Sequence, residues 1–498
     1  MKKYICVITL CIGSWLHGQN NLFLTKPFWE KNPSIEELKN NMSKINSISE
    51  LNERGFDPVV YAIQGGASNS TIEYLIEKEG NSVNKLTHHK RTYIFWAASK
   101  NNVELMKYLI DHGANLDIRD SHNYSVLTFA ATTGQTNKKI YDLCIASGMA
   151  VKNDLNENGA NALLLLIGSL TDLEMVEYFE NKGLSINDLD NLGSGVFNYA
   201  ARSGNKKIQD KLIARGIAVD LVDSKGNNAI LVASKGSRRK TNSLAYFKYL
   251  EEKGVKVNIT NKRGVNAIHN LAFSSKEVAS IEYFESKGVP TDISDARGNN
   301  ALMNASSRNN IEVIKYLRSK TKDINHQNNE GNSALTNAVS KNSHHIVQYL
   351  IKEGADINVV DTDGYNLSSY LIKSYNNDRA NNFRNKFEAL KTSGVDFSKK
   401  QKDNSTYLHL AVEKRDINLL KMLENIPVDV NAKNEDGLTA LHMVAMTSSD
   451  EKILKYLLFI GADKNIKTEF EETAYELAKE NELLKLNNIN IEFLKNEN

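Results

Sequence analysis

One small, polar phrase recurs along this 498-residue chain at a nearly constant interval. It reads DSKGNNAILVASKGS from Asp223, DARGNNALMNASSRNN from Asp295, NEGNSALTNAVSKNS from Asn329 and EDGLTALHMVAMTSS from Glu435. Taking its glycine as the register gives Gly55, Lys90, Asn123, Gly159, Gly193, Gly226, Gly264, Gly298, Gly331, Gly364, Asn404, Gly437 and Glu471, with gaps of 33 to 40 residues. A period near 33 specifies a stacked array of supersecondary units, because no unit of that size buries its apolar face alone.

Each unit reads the same way. An Asx residue stands three positions before the register residue (Asp120, Asn156, Asp190, Asp223, Asn261, Asp295, Asn328, Asp361, Asn434), where its side chain closes a turn. The register position favours glycine because the turn needs a backbone conformation that other residues adopt at a cost. A short run such as NALMNA (300–305) follows as a first helix, small enough to pack closely. The second helix is amphipathic: VELMKYLIDHG, IEVIKYLRSK and HIVQYLIKEG carry apolar residues at i, i+3, i+4 and i+7. Gly113, Gly183, Gly254, Gly288, Gly354 and Gly461 end these helices as left-handed caps. The expected fold class is all-α: stacked helix-turn-helix units joined by hairpin-like turns.

The unit resembles the ankyrin repeat. The family's T-P-L-H signature stands as TALH (439–442) and TYLH (406–409), with NALM (300–303), NAIH (266–269) and NAIL (228–231) as degenerate forms. The resemblance covers residues 55–467, about twelve repeats, and implies an ankyrin-repeat solenoid. It also implies that His269, His409 and His442 hydrogen-bond turn backbone, and that partners meet the concave side formed by turn tips and the exposed side of the first helix. Residues 19–54, with SIEELKNNM (34–42), are expected to cap the array, and 468–498 to close it with one helix over 472–486.

Lys2 and Lys3 precede the apolar stretch YICVITLCIGSWL (4–16), and a small residue follows at Gly18. This pattern predicts a cleavable signal over residues 1–18. The stretch is shorter than the roughly 18 apolar residues that a membrane span needs. An exported, bacterial, most naturally periplasmic protein is therefore expected. The chain holds 62 Lys+Arg against 60 Asp+Glu, so removal of Lys2 and Lys3 leaves it formally neutral, which argues against a general nucleic-acid binder. Cys6 and Cys11 would leave with the signal, and Cys144 alone can form neither an intramolecular disulfide nor a cysteine-based metal site.

No HExxH, P-loop, GxSxG or paired-cysteine spacing is present. The chain reads as non-enzymatic and without cofactor or metal. The pairs His88-His89 and His344-His345 have no third ligand spaced for them, and DTDG (361–364) fills a turn position used elsewhere by DARG and NNEG. Tyr108, Tyr178, Tyr249, Tyr283, Tyr316, Tyr349 and Tyr456 share one register of the second helix, which predicts packing on the neighbouring repeat with hydroxyls at the rim. Two long repeats carry SKGSRRKTN (234–242) and YNNDRANNFRNKF (375–387) between their helices, expected as loops on one edge.

Nine and ten positions after the register, on the face the resemblance marks for partners, stand Lys100, Arg202, Lys235, Arg308, Lys341, Lys373 and Lys414 against Glu413 alone. Turn tips add Lys225, Lys262, Arg263 and Arg297. The expected partner-binding residues are Lys225, Lys235, Lys262, Arg263, Arg297, Arg308, Lys341 and Lys373, a basic stripe that would steer an acidic protein surface. The expected function is a monomeric interaction scaffold in the bacterial cell envelope. A secreted effector acting on a host protein, or an accessory protein in peroxide-stress protection, are the alternatives.

Overall fold

A computed structural model describes residues 21–43, 45–237 and 241–495. Backbone contacts divide the chain into two compact units, one ending at Val255 and the other starting at Lys256. Each unit is a row of antiparallel helix pairs. Among the described residues there is no strand, only isolated bridges such as Thr260–Asn266 and Val360–Asn366. The signal segment expected over 1–18 lies outside the described residues.

All thirteen register residues take a left-handed conformation, with φ between 58° and 86°. They include Lys90, Asn123, Asn404 and Glu471, where a side chain must tolerate it. The Asx residue three positions earlier supplies the closure. Asp295 Oδ1 accepts from the N–H groups of Arg297 and Asn299, both at 2.9 Å, and Asn328, Asp223 and Asp190 repeat this geometry. Successive tips then bond to each other through backbone. Ser121, Asn191, Ser224, Ala296, Asn329, Thr362 and Glu435 donate to His89, Asn158, Leu192, Arg263, Arg297, Glu330 and Asp403 respectively, at 2.7–3.0 Å.

Two residues after the register an Asp, Ser, Thr or Asn, or in one repeat Gly195, stands at the N-cap of the inner helix. Asn300 Oδ1 accepts from Met303 N–H, and Asp57, Ser125 and Ser333 cap their own helices likewise. Inner helices such as Ala301–Ser306 and Ala334–Lys341 pack side by side through Ala305 and Ala338, both without exposed surface. Outer helices bury one stripe each, as with Val313, Ile314 and Leu317 of Ile311–Lys320. The six capping glycines named above all have φ between 79° and 103°.

Asparagine side chains tie repeat to repeat, since one amide matches one orphan carbonyl and one orphan N–H at once. Asn325 donates to Gly354 C=O at 3.3 Å and accepts from Asp356 N–H at 2.7 Å, and Asn84 and Asn431 make the same two-armed clamp. Asn258 reaches Gly288 C=O at 2.9 Å, but Pro290 has no N–H to answer it. Asn309, Asn342 and Asn481 each donate to two carbonyls of the preceding repeat.

The expectations differ from the structure in two places. The insertion 375–387 is not a loop: a 3-10 turn at Asn377–Arg379 leads into the outer helix Ala380–Thr392, with Phe383, Phe387 and Leu390 buried. The closing helix over 472–486 is two helices, Ala474–Glu480 and Glu482–Leu486. Asn481 caps the second by accepting from Leu483 N–H, which ends the first. At the other end, Lys26–Trp29 packs on Pro58–Gly65 so closely that a Cβ on Gly65 would lie 2.5 Å from Trp29 Cβ. In the insertion 234–242, residues 238–240 lie outside the described residues, while Asn242 is buried and donates to Ala201, Arg202 and Ala233 carbonyls.

His269, His409 and His442 are buried in the second unit. Their Nε2 atoms lie 3.0, 3.0 and 2.9 Å from the carbonyls of Ile293, Leu438 and Ile466, and their Nδ1 atoms accept from the cap N–H groups of Asn266, Thr406 and Thr439. That arrangement needs the neutral ring. Burial, chiefly, holds all three imidazoles below their ordinary pKa. The unfolded chain therefore takes up protons first as pH falls below about 6.5, and the second unit loses at most about 1.4 kcal/mol per pH unit for each ring. Its urea midpoint should drop between pH 6.5 and 5.5, and His409→Gln with His442→Gln should flatten the drop. A midpoint unchanged over that range in the native chain contradicts the neutral rings.

Candidate partner-binding surface

Turn tips and inner-helix ends lie on a common face. Within one repeat, the Lys373 ammonium at the end of Leu367–Lys373 sits 3.4 Å from the ring centroid of Tyr365, the residue that follows the register Gly364. Between repeats, the guanidinium of Arg308 lies 4.0 Å over the ring of Phe273, which ends the preceding inner helix and is 41% exposed.

All eight predicted site residues are exposed, and among the described residues none is in an ion pair with a carboxylate. Lys225 sits at a turn tip and Lys235 ends Ala229–Lys235, both in the first unit. The second unit holds the other six. Lys262, Arg263 and Arg297 occupy consecutive tips joined by the Ala296 N–H to Arg263 C=O bond, at 2.8 Å. Arg308, Lys341 and Lys373 stand at the ends of successive inner helices.

Acids stand at the turn tips as well. From Glu330 onward the tips of the second unit carry acids at Glu330, Asp363, Asp403, Glu435 and Asp436, with the cationic Lys402 beside Asp403. These residues stand one or two places before their register residues, so the sign change was available in the sequence. The cationic helix ends Lys341 and Lys373 thus run beside an acidic tip row. Tyr365 feels it: burial first, then Asp403, Glu413, Asp363 and Asp361, raise its hydroxyl pKa.

The opposite edge is built for stacking. Tyr178 donates to Asp142 at 2.9 Å while Lys182 pairs with the same carboxylate at 3.0 Å, and Asp210–Tyr249–Lys253 and Glu285–Tyr316–Lys320 repeat this triad between neighbouring repeats. Hydrogen bonding to the lysine and to the tyrosine holds Asp210 below the usual carboxylate range. Tyr178, Tyr249 and Tyr316 therefore act as staples with their hydroxyls engaged, whereas the Tyr456 hydroxyl is buried without a hydrogen-bond partner among the described residues, against the expectation that this row keeps its hydroxyls at the rim.

Among the described residues no group of three His, Cys, Asp or Glu is placed to hold a metal ion. His88 and His89 are joined by His122, whose ring centroid is 4.7 Å from that of His89. Asp361 of the DTDG turn spends its carboxylate on Tyr365 N–H and the Tyr370 hydroxyl. Cys144 is buried, and burial pushes its thiol up to about 12. No described helix is long and apolar enough to cross a membrane.

A family profile for ankyrin repeats in three copies matches residues 30–120, 59–148, 237–328, 271–361 and 378–468. The ankyrin repeat protein L271 of Acanthamoeba polyphaga mimivirus is 25% identical over 200 residues, 39% of this chain and 26% of that protein. The ankyrin repeat protein FPV024 of Fowlpox virus (strain NVSL) is 35% identical over 71 residues, 14% of this chain and 12% of that protein. An L-asparaginase of Dirofilaria immitis is 28% identical over 151 residues, 30% of this chain and 25% of the enzyme. The chain thus spans about a quarter or less of the length of these curated relatives. A solved chain from the complex of the predatory endopeptidase Bd0816 of Bdellovibrio bacteriovorus with immunity protein Bd3460 is 22% identical, with a TM-score of 0.32, over 37% of this chain and 93% of that one. With the repeat profile matching most of its length and the register turn, capped inner helix and buried histidine all in place, the chain belongs to the ankyrin repeat family.

Proposed function

We propose that the chain is a non-enzymatic scaffold of the bacterial cell envelope that binds a partner protein through an acidic patch on the partner's surface. Ankyrin repeats are in general protein–protein interaction modules, and the face offered here is the one formed by turn tips and inner-helix ends. The observation that carries the reading is the row of exposed cations in the second unit, Lys262, Arg263, Arg297, Arg308, Lys341 and Lys373, to which the first unit adds its own exposed Lys225 and Lys235; among the described residues none of them is paired with a carboxylate. Such a row raises association rates and makes them salt-dependent. Export is supported by Lys2, Lys3 and the apolar residues 4–16, and is tested by locating the protein in cell fractions and sequencing its mature N-terminus.

The triple variant Arg297→Glu, Arg308→Glu, Lys341→Glu should fold like the parent and weaken capture of the partner from the exported fraction by about tenfold or more. Parent and variant should converge at high salt, where both bind weakly. Capture unchanged by the triple reversal contradicts the proposal.

A further inference from the structure

We infer that the acidic partner is taken by one end of the second unit's inner face, marked by the tip cations Lys262, Arg263 and Arg297 and by Arg308 over the exposed Phe273, and that the segment bound there carries one large apolar side chain among its carboxylates. This rests on the scaffold reading above and narrows it.

Charge decides the place. The first two turns of the second unit carry Lys262, Arg263 and Arg297 at their tips and Arg308 at a helix end, with no acid at either kind of position. Lys276 adds another cation: its ammonium donates to Arg308 C=O at 2.7 Å. Burial first and the neighbouring Arg308 next lower the pKa of Lys276. From Glu330 on, acids enter the tip row of the repeats that carry Lys341 and Lys373, so the positive charge there is offset by neighbours of opposite sign. A run of carboxylates is drawn to the first two turns and repelled by Glu330, Asp363 and Asp403. The sign change fixes the position of the bound segment.

Phe273 decides the second property. A ring 41% exposed with Arg308 lying 4.0 Å over one face still offers its remaining surface to a partner. An aromatic paired with an arginine is the kind of pair enriched at the energetic centres of protein interfaces. Its match is a leucine-like side chain flanked by aspartate and glutamate.

The test uses the full chain and two labelled peptides, one with Asp-Glu-Leu-Glu-Asp at its centre and one with lysines replacing the acids, followed by fluorescence anisotropy at moderate salt. The acidic peptide should bind and the basic one should not. Arg297→Glu with Arg308→Glu should weaken binding about tenfold and Phe273→Ser about fivefold. Lys341→Glu with Lys373→Glu should change it less than about twofold. Circular dichroism melts check that each variant folds. Equal losses from the two charge-reversed pairs overturn the patch while leaving the scaffold reading intact, since the whole row then shares the work. An acidic peptide that fails to bind the parent, or binding indifferent to Phe273→Ser, also overturns it. Whether the broader reading survives those results is decided separately, by capture of the natural partner.

Discussion

Replacing Lys386 by methionine stabilises the second unit by about 2 kcal/mol at pH 7. Lys386 lies on Ala380–Thr392 and is 3% exposed. Counting back from the capping Gly394, it fills the core slot that Ile346 holds relative to Gly354 and Ile453 relative to Gly461. Its ammonium donates to Val339 C=O and, at 3.3 Å, to Ser374 Oγ, and no carboxylate is paired with it. Burial pushes its pKa down to about 8. Protonation is thus harder in the folded state than in the unfolded one by about 3 kcal/mol, from which about 1 is deducted for the carbonyl that methionine leaves unpartnered.

The sign is testable by pH. Between about 8 and 10.5 the unfolded chain holds the extra proton, so the native second unit gains stability as pH rises through that window. Below about 8 the penalty is present in full. The Lys386→Met advantage should therefore be largest at neutral pH and shrink toward pH 10.5, read from urea midpoints of the second unit. A variant less stable than the parent at pH 7 contradicts the account of this slot.

Alanine at Gly331 costs at least about 3 kcal/mol, while alanine at Gly354 costs about 1. Both glycines are left-handed, at φ +77° and +93°. A Cβ at Gly354 meets nothing within 4 Å, so only the conformational penalty of roughly 1–2 kcal/mol applies. A Cβ at Gly331 lands 2.6 Å from Asp361 Cα and 2.7 Å from Thr362 N, both backbone atoms of the next turn. The tips must separate, and the Thr362 N–H to Glu330 C=O bond, at 3.0 Å, goes with them. Equal losses at the two sites would mean that the tips are not in close contact.

The periodic elements were legible because each depends on a local requirement. A left-handed turn asks for glycine, a helix start asks for Asn, Ser or Thr, and a buried stripe asks for apolar spacing. Lys90 and Glu471 show the limit: only spacing marked them, and both take the left-handed conformation. The basic row was legible as exposed cations, and so were the acids at Glu330 and Asp363, but the acids belong to the tip row while Lys341 and Lys373 belong to helix ends. Placing the two rows side by side needs the fold. The insertion 375–387 misled through its polar composition, although Phe383, Phe387 and Leu390 already carried helical spacing. The asparagine clamps connect residues about 30 apart, and no local rule announces them.

Within each unit the register turns lie against one another, and that contact aligns the tips and so creates the charged rows. Amide hydrogen exchange measures it residue by residue. The N–H groups of Ser121, Asn191, Ser224, Ala296, Asn329, Thr362 and Glu435 should exchange slowly, each held by the preceding tip's carbonyl. Exchange of those seven amides at the rate of an unstructured peptide, while the helices stay protected, would contradict it.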